Sequence, residues 1–270
     1  MDDPSSGHTL GPMVRFPPMV DGEPLTVSAT LYLTYRRCPR QALARVRGIY
    51  PDDTVASFRG GLAHRVFARH LTAGPISDER FEQVCREEIG TGMNVTLSAV
   101  GLGRPSRLRR VIDEVGELYR RFRDRRFDGF VAAEVELEAD AGSSVLLRGR
   151  IDAVFDEPVV RIVDWKTGRI TVDAEEQLAF YGVLWAMARG SAPASVEAVS
   201  VATGERFAVD IDADRLTATV TEVAAMVDDL RAALVVGAEG RARAGPWCGY
   251  CPVLDRCDEG RSAAAVIGGT

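Results

Sequence analysis

Gly149-Arg150-Ile151-Asp152 and Val163-Asp164-Trp165-Lys166-Thr167-Gly168 flank a turn signal at Asp156-Glu157-Pro158. Read as the two arms of one hairpin, they decide the fold. With the turn centred near residues 157–158, Asp152 falls roughly opposite residues 163–164. Side chains alternate across a strand, so Asp164 and Lys166 share a face that Asp152 can join. Lys166 is the single lysine; every other member of the 33 Lys plus Arg residues is arginine. Arginine is a planar, permanently charged fork, whereas lysine is a compact ammonium whose proton affinity its surroundings can move.

Two bare carboxylates brought close repel, and one is then forced to hold its proton. A hard divalent cation removes the conflict, and Mg²⁺ or Mn²⁺ suits carboxylates plus water and substrate phosphate. Beside such an ion Lys166 would steady an attacking water or the pentacovalent oxyanion. Asp…Asp-x-Lys on paired strands is thus a pattern for metal-dependent phosphodiester hydrolysis. The same letters also describe an exposed charge ladder of little worth to stability.

Outward from the hairpin, Phe130 to Ala139, Ser144 to Phe155 and Val159 to Lys166 read as three strands. An amphipathic helix follows over Ala174 to Arg189, then strands near 195–202 and 205–211 and a helix over about 213–237. Before the strands the texture is helical. Ser28 is the expected N-cap of a short helix ending near Cys38, because Pro39 restricts the residue before it. Gly60-Gly61 is expected to open a helix over Leu62 to Leu71, and residues 77–127 to form two or more helices. The order is helix, three antiparallel-capable strands, helix, strand, with no internal repeat.

With 270 residues, 46% hydrophobic and 27% charged, the chain has the make-up of an ordinary globular protein. No apolar run reaches membrane-spanning length, and Met1-Asp2-Asp3-Pro4 lacks a signal peptide's basic start, so the expected location is the cytoplasm. The net charge of −6 argues against coating nucleic acid with the whole surface. A local stripe exists all the same: residues 104–126 hold nine arginines against four acids. It reads either as a solvated helix face or as a track for a phosphate backbone.

Cysteines stand at 38, 85, 248, 251 and 257. Cys248-x2-Cys251-x5-Cys257 has the spacing of metal ligands, with Cys38 a distant fourth candidate and Cys85 a plain buried thiol. Spacing alone leaves zinc and an iron–sulfur centre both open. His64 lies one turn into the helix that follows the glycine pair and is a competent nitrogen ligand, although a lone helical histidine is more often packed or solvated. Gln177 and Tyr181 are spaced i, i+4 and share a helix face, where a surface amide and a core ring are the plain reading.

Taken together, His64, Asp152, Asp164-Trp165-Lys166-Thr167-Gly168, Gln177-x3-Tyr181, Cys38 and Cys248-x2-Cys251-Pro252-x4-Cys257 resemble the RecB-type PD-(D/E)xK nucleases. The nearest branch is the iron–sulfur one, with AddB-type nuclease domains and the CRISPR adaptation exonuclease. The resemblance covers residues 26–258. It implies an α/β, restriction-endonuclease-like core: a mixed central sheet flanked by helices, a helical insertion, and a cysteine-ligated cluster joining the N- and C-terminal segments. It divides the chain into a tail over 1–25, a nuclease domain over 26–258 (26–59, 60–128, 129–212 and 213–258) and a tail over 259–270. By the resemblance His64, Asp152, Asp164 and the main-chain carbonyl of Trp165 are metal ligands, Lys166 the catalytic lysine, and Gln177 and Tyr181 the pair that supports the site and touches the strand. Glu134 or Glu136 matches a further acid; strand parity puts both on one face and does not separate them. Cys38, Cys248, Cys251 and Cys257 would hold a [4Fe–4S] cluster. The implied activity is a Mg²⁺- or Mn²⁺-dependent exonuclease on single-stranded DNA ends, with a helicase or CRISPR adaptation or recombination subunits as partners. A catalytically silent DNA-binding subunit is the alternative.

Overall fold

The computed structural model describes residues 14–268. Its centre is a six-stranded mixed sheet in which the longest run of pairing joins β2 (Phe130–Gly142) to β3 (Val145–Asp156). β4 (Val160–Lys166) pairs antiparallel with β3, so the expected hairpin forms. β5 (Ser195–Ser200) lies parallel to β4, and β6 (Arg206–Asp210) closes that side antiparallel. The first strand, β1 (Leu25–Val27), runs parallel to the start of β3.

β3 has one edge against β2 and shares its other edge between two strands. β1 pairs with it as far as Val27↔Leu147, and β4 takes over at Ala153↔Val163. Residues 148–152 therefore have no strand neighbour on that edge. The sheet forks there, and an opening in a sheet is where backbone and side chains are free to meet a ligand.

Helices cover both faces. On one, α7 (Ala174–Arg189) and α8 (Ala213–Val235) pack with α1 (Ala29–Arg37) and α2 (Pro39–Val46) over Leu147, Ile151, Ile162 and Val196. On the other, α3 (Val55–Ala73), α4 (Asp78–Gly92) and α6 (Pro105–Arg123) bury Ala153, Phe155, Val163 and Trp165 under Phe58, Phe67 and Phe122. A short α5 (Asn94–Ala99) joins α4 to α6. Cys85 is fully buried on this second face, where burial and then Glu88 and Glu82 push its thiol up to about 12. Two 3₁₀ turns and α9 (Asp258–Gly268) end the described chain.

Three expectations change. α3 starts not at Gly60-Gly61 but at Val55, because Thr54 and Ser57 cap each other reciprocally and Phe58 anchors the first turn in the core. The glycine pair sits mid-helix. The segment before residue 26 is no tail where it is described: Val14 is buried, and the guanidinium of Arg231 donates to the carbonyls of Val20, Glu23 and Ser143. Residues 1–13 of that expected tail lie outside the described residues. At the other end, residues 258–268 are helical rather than tail, and the cut at 258 falls on the first residue of α9. The expected break at Cys38 is present: it is in extended conformation between α1 and α2, with Ser28 accepting from the Leu31 N–H at the start of α1.

Candidate functional site

At the fork of the sheet lies an open cavity of about 460 Å³, lined by His64, Asp152, Asp164, Lys166, Gln177 and Tyr181 among others. Four elements supply them. α3 presents His64, β3 Asp152, β4 Asp164 and Lys166, and α7 Gln177 and Tyr181. Their convergence depends on a break in strand alternation. Ile151 packs in the core beneath α7, yet Ala153, two residues on, packs in the core beneath α3 and α6. The irregularity falls on Asp152. Directly across, Glu134 has φ of 52°, the left-handed region that non-glycine residues seldom adopt and that gathers at functional sites.

Asp152 bridges two elements. Its Oδ1 lies 3.1 Å from Nδ1 of His64, and its Oδ2 accepts from the backbone N–H of Trp165 at 2.7 Å. Asp164 is buried. Its Oδ1 accepts from Gln177 Nε2 at 3.3 Å, while Lys166 Nζ pairs with Oδ2 at 2.7 Å. Lys166 also donates to Gln177 Oε1 at 2.7 Å, and Gln177 Nε2 also donates to Tyr181 Oη at 3.3 Å. The loop after Lys166 is pinned from β5: Val201 N–H donates to Lys166 O, and Ser200 Oγ to Gly168 O.

The electrostatics follow from crowding four charges in a partly dry space. Burial, then the charge of Asp152, lifts the Asp164 carboxyl to about 6 against the pull of Lys166. Burial works against a proton on His64, but the charge and hydrogen bond of Asp152, helped by Asp164 and Glu134, outweigh it and raise the imidazole to about 9. Burial and the two aspartates also drive the Tyr181 phenol upward, so it stays a neutral hydroxyl. Both shifts run toward the protonated forms, the direction expected where carboxylates crowd one another.

Ligand atoms of His64, Glu134 and Asp152 lie within 4.8 Å of one another, and among the described residues no other group of three or more His, Cys, Asp or Glu side chains is so compact. Imidazole and carboxylate donors in such a group fit a Mn²⁺- or Mg²⁺-type ion. The geometry also separates the two glutamates. Glu134 turns into the site with its left-handed backbone, while Glu136 is exposed opposite Arg150. Strand parity fails here because it assumes a regular strand. Asp164, expected among the ligands, stands outside the compact trio, held by Lys166 and Gln177. Sequence reading also passed over Arg148, Arg150 and Arg169, which line the cavity. The arginines of residues 104–126 do not line it; several instead pair with acids or carbonyls of the helical face, as Arg123 does with Asp78 and Arg125 with Ser200 O.

Cys38, Cys248, Cys251 and Cys257 line a second, narrower cavity between α1–α2 and the final turns. No three of these sulfurs come within 4.8 Å of one another. A zinc ion would hold tetrahedral thiolates about 3.8 Å apart, so the frame is wider than a single ion needs. Backbone N–H groups of Arg243, Gly245 and Gly260 point at the sulfurs of Cys38, Cys248 and Cys257 at 3.4, 3.4 and 3.3 Å.

Residues 26–258 match the family model described as the PD-(D/E)XK nuclease superfamily. Among solved structures, the chain is similar to that of the protein SSO0001, at 15% identity over 88% of each chain with a TM-score of 0.39. No curated protein matches it. Among the described residues no helix is long and apolar enough to cross a membrane.

Proposed function

The chain belongs to the PD-(D/E)XK nuclease superfamily, and from that premise we propose that it is an exonuclease acting on single-stranded DNA ends with Mg²⁺ or Mn²⁺. The observation that carries the reading is the cavity at the fork, where a buried carboxylate paired with the single ammonium stands beside a His–Asp–Glu group. The cation would be held by His64, Asp152 and Glu134, with Asp164 and the Trp165 carbonyl completing the set as the substrate enters. When bound, it polarises the phosphate and lowers the proton affinity of a water. Lys166, oriented by Gln177, donates to the phosphoryl oxygen that gains charge or to the attacking water. Tyr181, kept protonated, offers its hydroxyl to the strand.

For the second cavity the proposed occupant is a [4Fe–4S] cluster. Four cysteine sulfurs lining one cavity and backed by N–H···S contacts would supply the ligands of such a centre. It would fasten Cys38 at the end of α1 to the 248–257 segment. A helicase or a recombination or CRISPR adaptation subunit is the proposed source of single-stranded ends, and the cytoplasm the proposed location.

The test is cleavage of end-labelled single strands and duplexes with Mn²⁺, by the native chain and by Lys166→Ala and Asp164→Ala. Stepwise release of end nucleotides from single strands, lost in both variants with strand binding kept, is the expected result. Full activity in the variants, or cutting only within duplexes, overturns it.

A further inference from the structure

Arg150 has a surface partner at hand and does not use it. In the β2–β3 ladder Arg148 stands opposite Glu138 and pairs with it at 3.3 Å, as cross-strand neighbours do. Arg150 stands opposite Glu136, yet its Nε reaches along the strand to Oε2 of Glu134 at 2.8 Å. Glu134 is the residue whose left-handed backbone turns it toward His64 and Asp152. Arg150 therefore neutralises one member of the only compact His–Glu–Asp group among the described residues. Its side chain is still half exposed and lines the cavity at the unpaired edge of β3.

We infer that Arg150 is a positioning residue that exchanges partners: it holds Glu134 while no divalent cation is present, and on cation binding turns to a phosphate of the nucleic-acid strand. The inference rests on the reading of this cavity as a metal-dependent nuclease site. A carboxylate shared between a guanidinium and a divalent ion loses much of its attraction for the guanidinium, whose five donors match a phosphate equally well. Cation and strand then bind with positive coupling, and the coupling runs through one side chain.

The test measures binding, not turnover. Mn²⁺ affinity is read by calorimetry without DNA. Affinity for a fluorescein-labelled, phosphorothioate-linked single strand is read by anisotropy with and without Mn²⁺, for the native chain, Arg150→Gln and Arg148→Gln. In the native chain Mn²⁺ should tighten strand binding by about tenfold, within the usual coupling range. Arg150→Gln should bind Mn²⁺ at least as tightly as the native chain and lose most of that gain. Arg148→Gln should weaken strand binding by the same factor with and without Mn²⁺. Weaker Mn²⁺ binding by Arg150→Gln, or a full native gain in it, overturns the exchange while leaving the nuclease reading intact. A native chain that binds no Mn²⁺ overturns both.

Discussion

Lys166 Nζ stands 2.7 Å from Gln177 Oε1, and the same amide turns its nitrogen to both Asp164 Oδ1 and Tyr181 Oη at 3.3 Å. One α7 side chain thus sets the two reactive groups of β4. Without it Lys166 has only Asp164 Oδ2 to fall toward. Gln177→Ala should lower kcat by about 10- to 100-fold with KM within about twofold, and Lys166→Ala should lower it by about a thousandfold, since orientation and charge stabilisation are lost separately. Steady-state kinetics on a single-strand substrate decide it; a loss confined to KM in Gln177→Ala would assign the amide to strand binding alone.

Stability of the metal-free protein should fall as pH rises. His64 holds its proton to about 9 in the folded chain against an ordinary value of 6.5. Its contribution is complete below 6.5 and is lost as pH climbs through about 9. Asp164, raised to about 6, acts in the same direction at lower pH. The His64 part amounts to no more than about 3 kcal/mol by linkage. Thermal melts in EDTA between pH 6.5 and 9 should show this decline. Mn²⁺ should reverse it, because the ion takes the neutral imidazole and replaces the lost proton. A melting temperature that is flat with pH in EDTA would mean that the folded chain does not raise the proton affinity of His64.

Gly149 lies on β3 beneath α7, where a Cβ would come 2.8 Å from Leu184 Cδ2 and 3.5 Å from Tyr181 Cε1. Gly149→Ala should cost about 1–3 kcal/mol through overpacking, lowering the melting temperature by several degrees. The tight contact is with Leu184, so relieving it by a shift of α7 should carry Gln177 and Tyr181 together away from Lys166, and activity falls more than stability accounts for at assay temperature. Calorimetry and kinetics on one preparation separate the two; unchanged kinetics would mean the Leu184 side chain yields without moving α7.

The hairpin was legible because a turn signal and two alternating strands fix its register, and register fixes which face Asp164 and Lys166 share. Ala174–Arg189 was legible for the same kind of reason, an apolar stripe bounded by acids and a glycine. Glu134 was not, because a left-handed glutamate is imposed by tertiary packing and leaves no mark in composition. The start of α3 was written in Thr54 and Ser57, but the glycine pair is the louder signal and misleads. β1 and the strap before it are too short to carry periodicity; they are held by carbonyls that meet the buried Arg231 guanidinium.

The span of α1 yields the last prediction. Its amino end, Ser28 to Thr30, borders the nuclease cavity, and its other end is capped by Cys38 in the cysteine cavity. Fastening Cys38 to Cys248 closes a loop of about 210 residues, and closure entropy grows only slowly with such length, so the gain is a few kcal/mol rather than tens. Cys38→Ser should abolish the visible absorbance near about 400 nm of anaerobically purified protein and its iron. The melting temperature should drop by about 5–10 °C. Cys85→Ser, which buries a hydroxyl in the helical core far from that cavity, should keep the iron and the absorbance while losing stability alone. Full iron content in Cys38→Ser, or zinc in place of iron in the native chain, would rule out the proposed cluster.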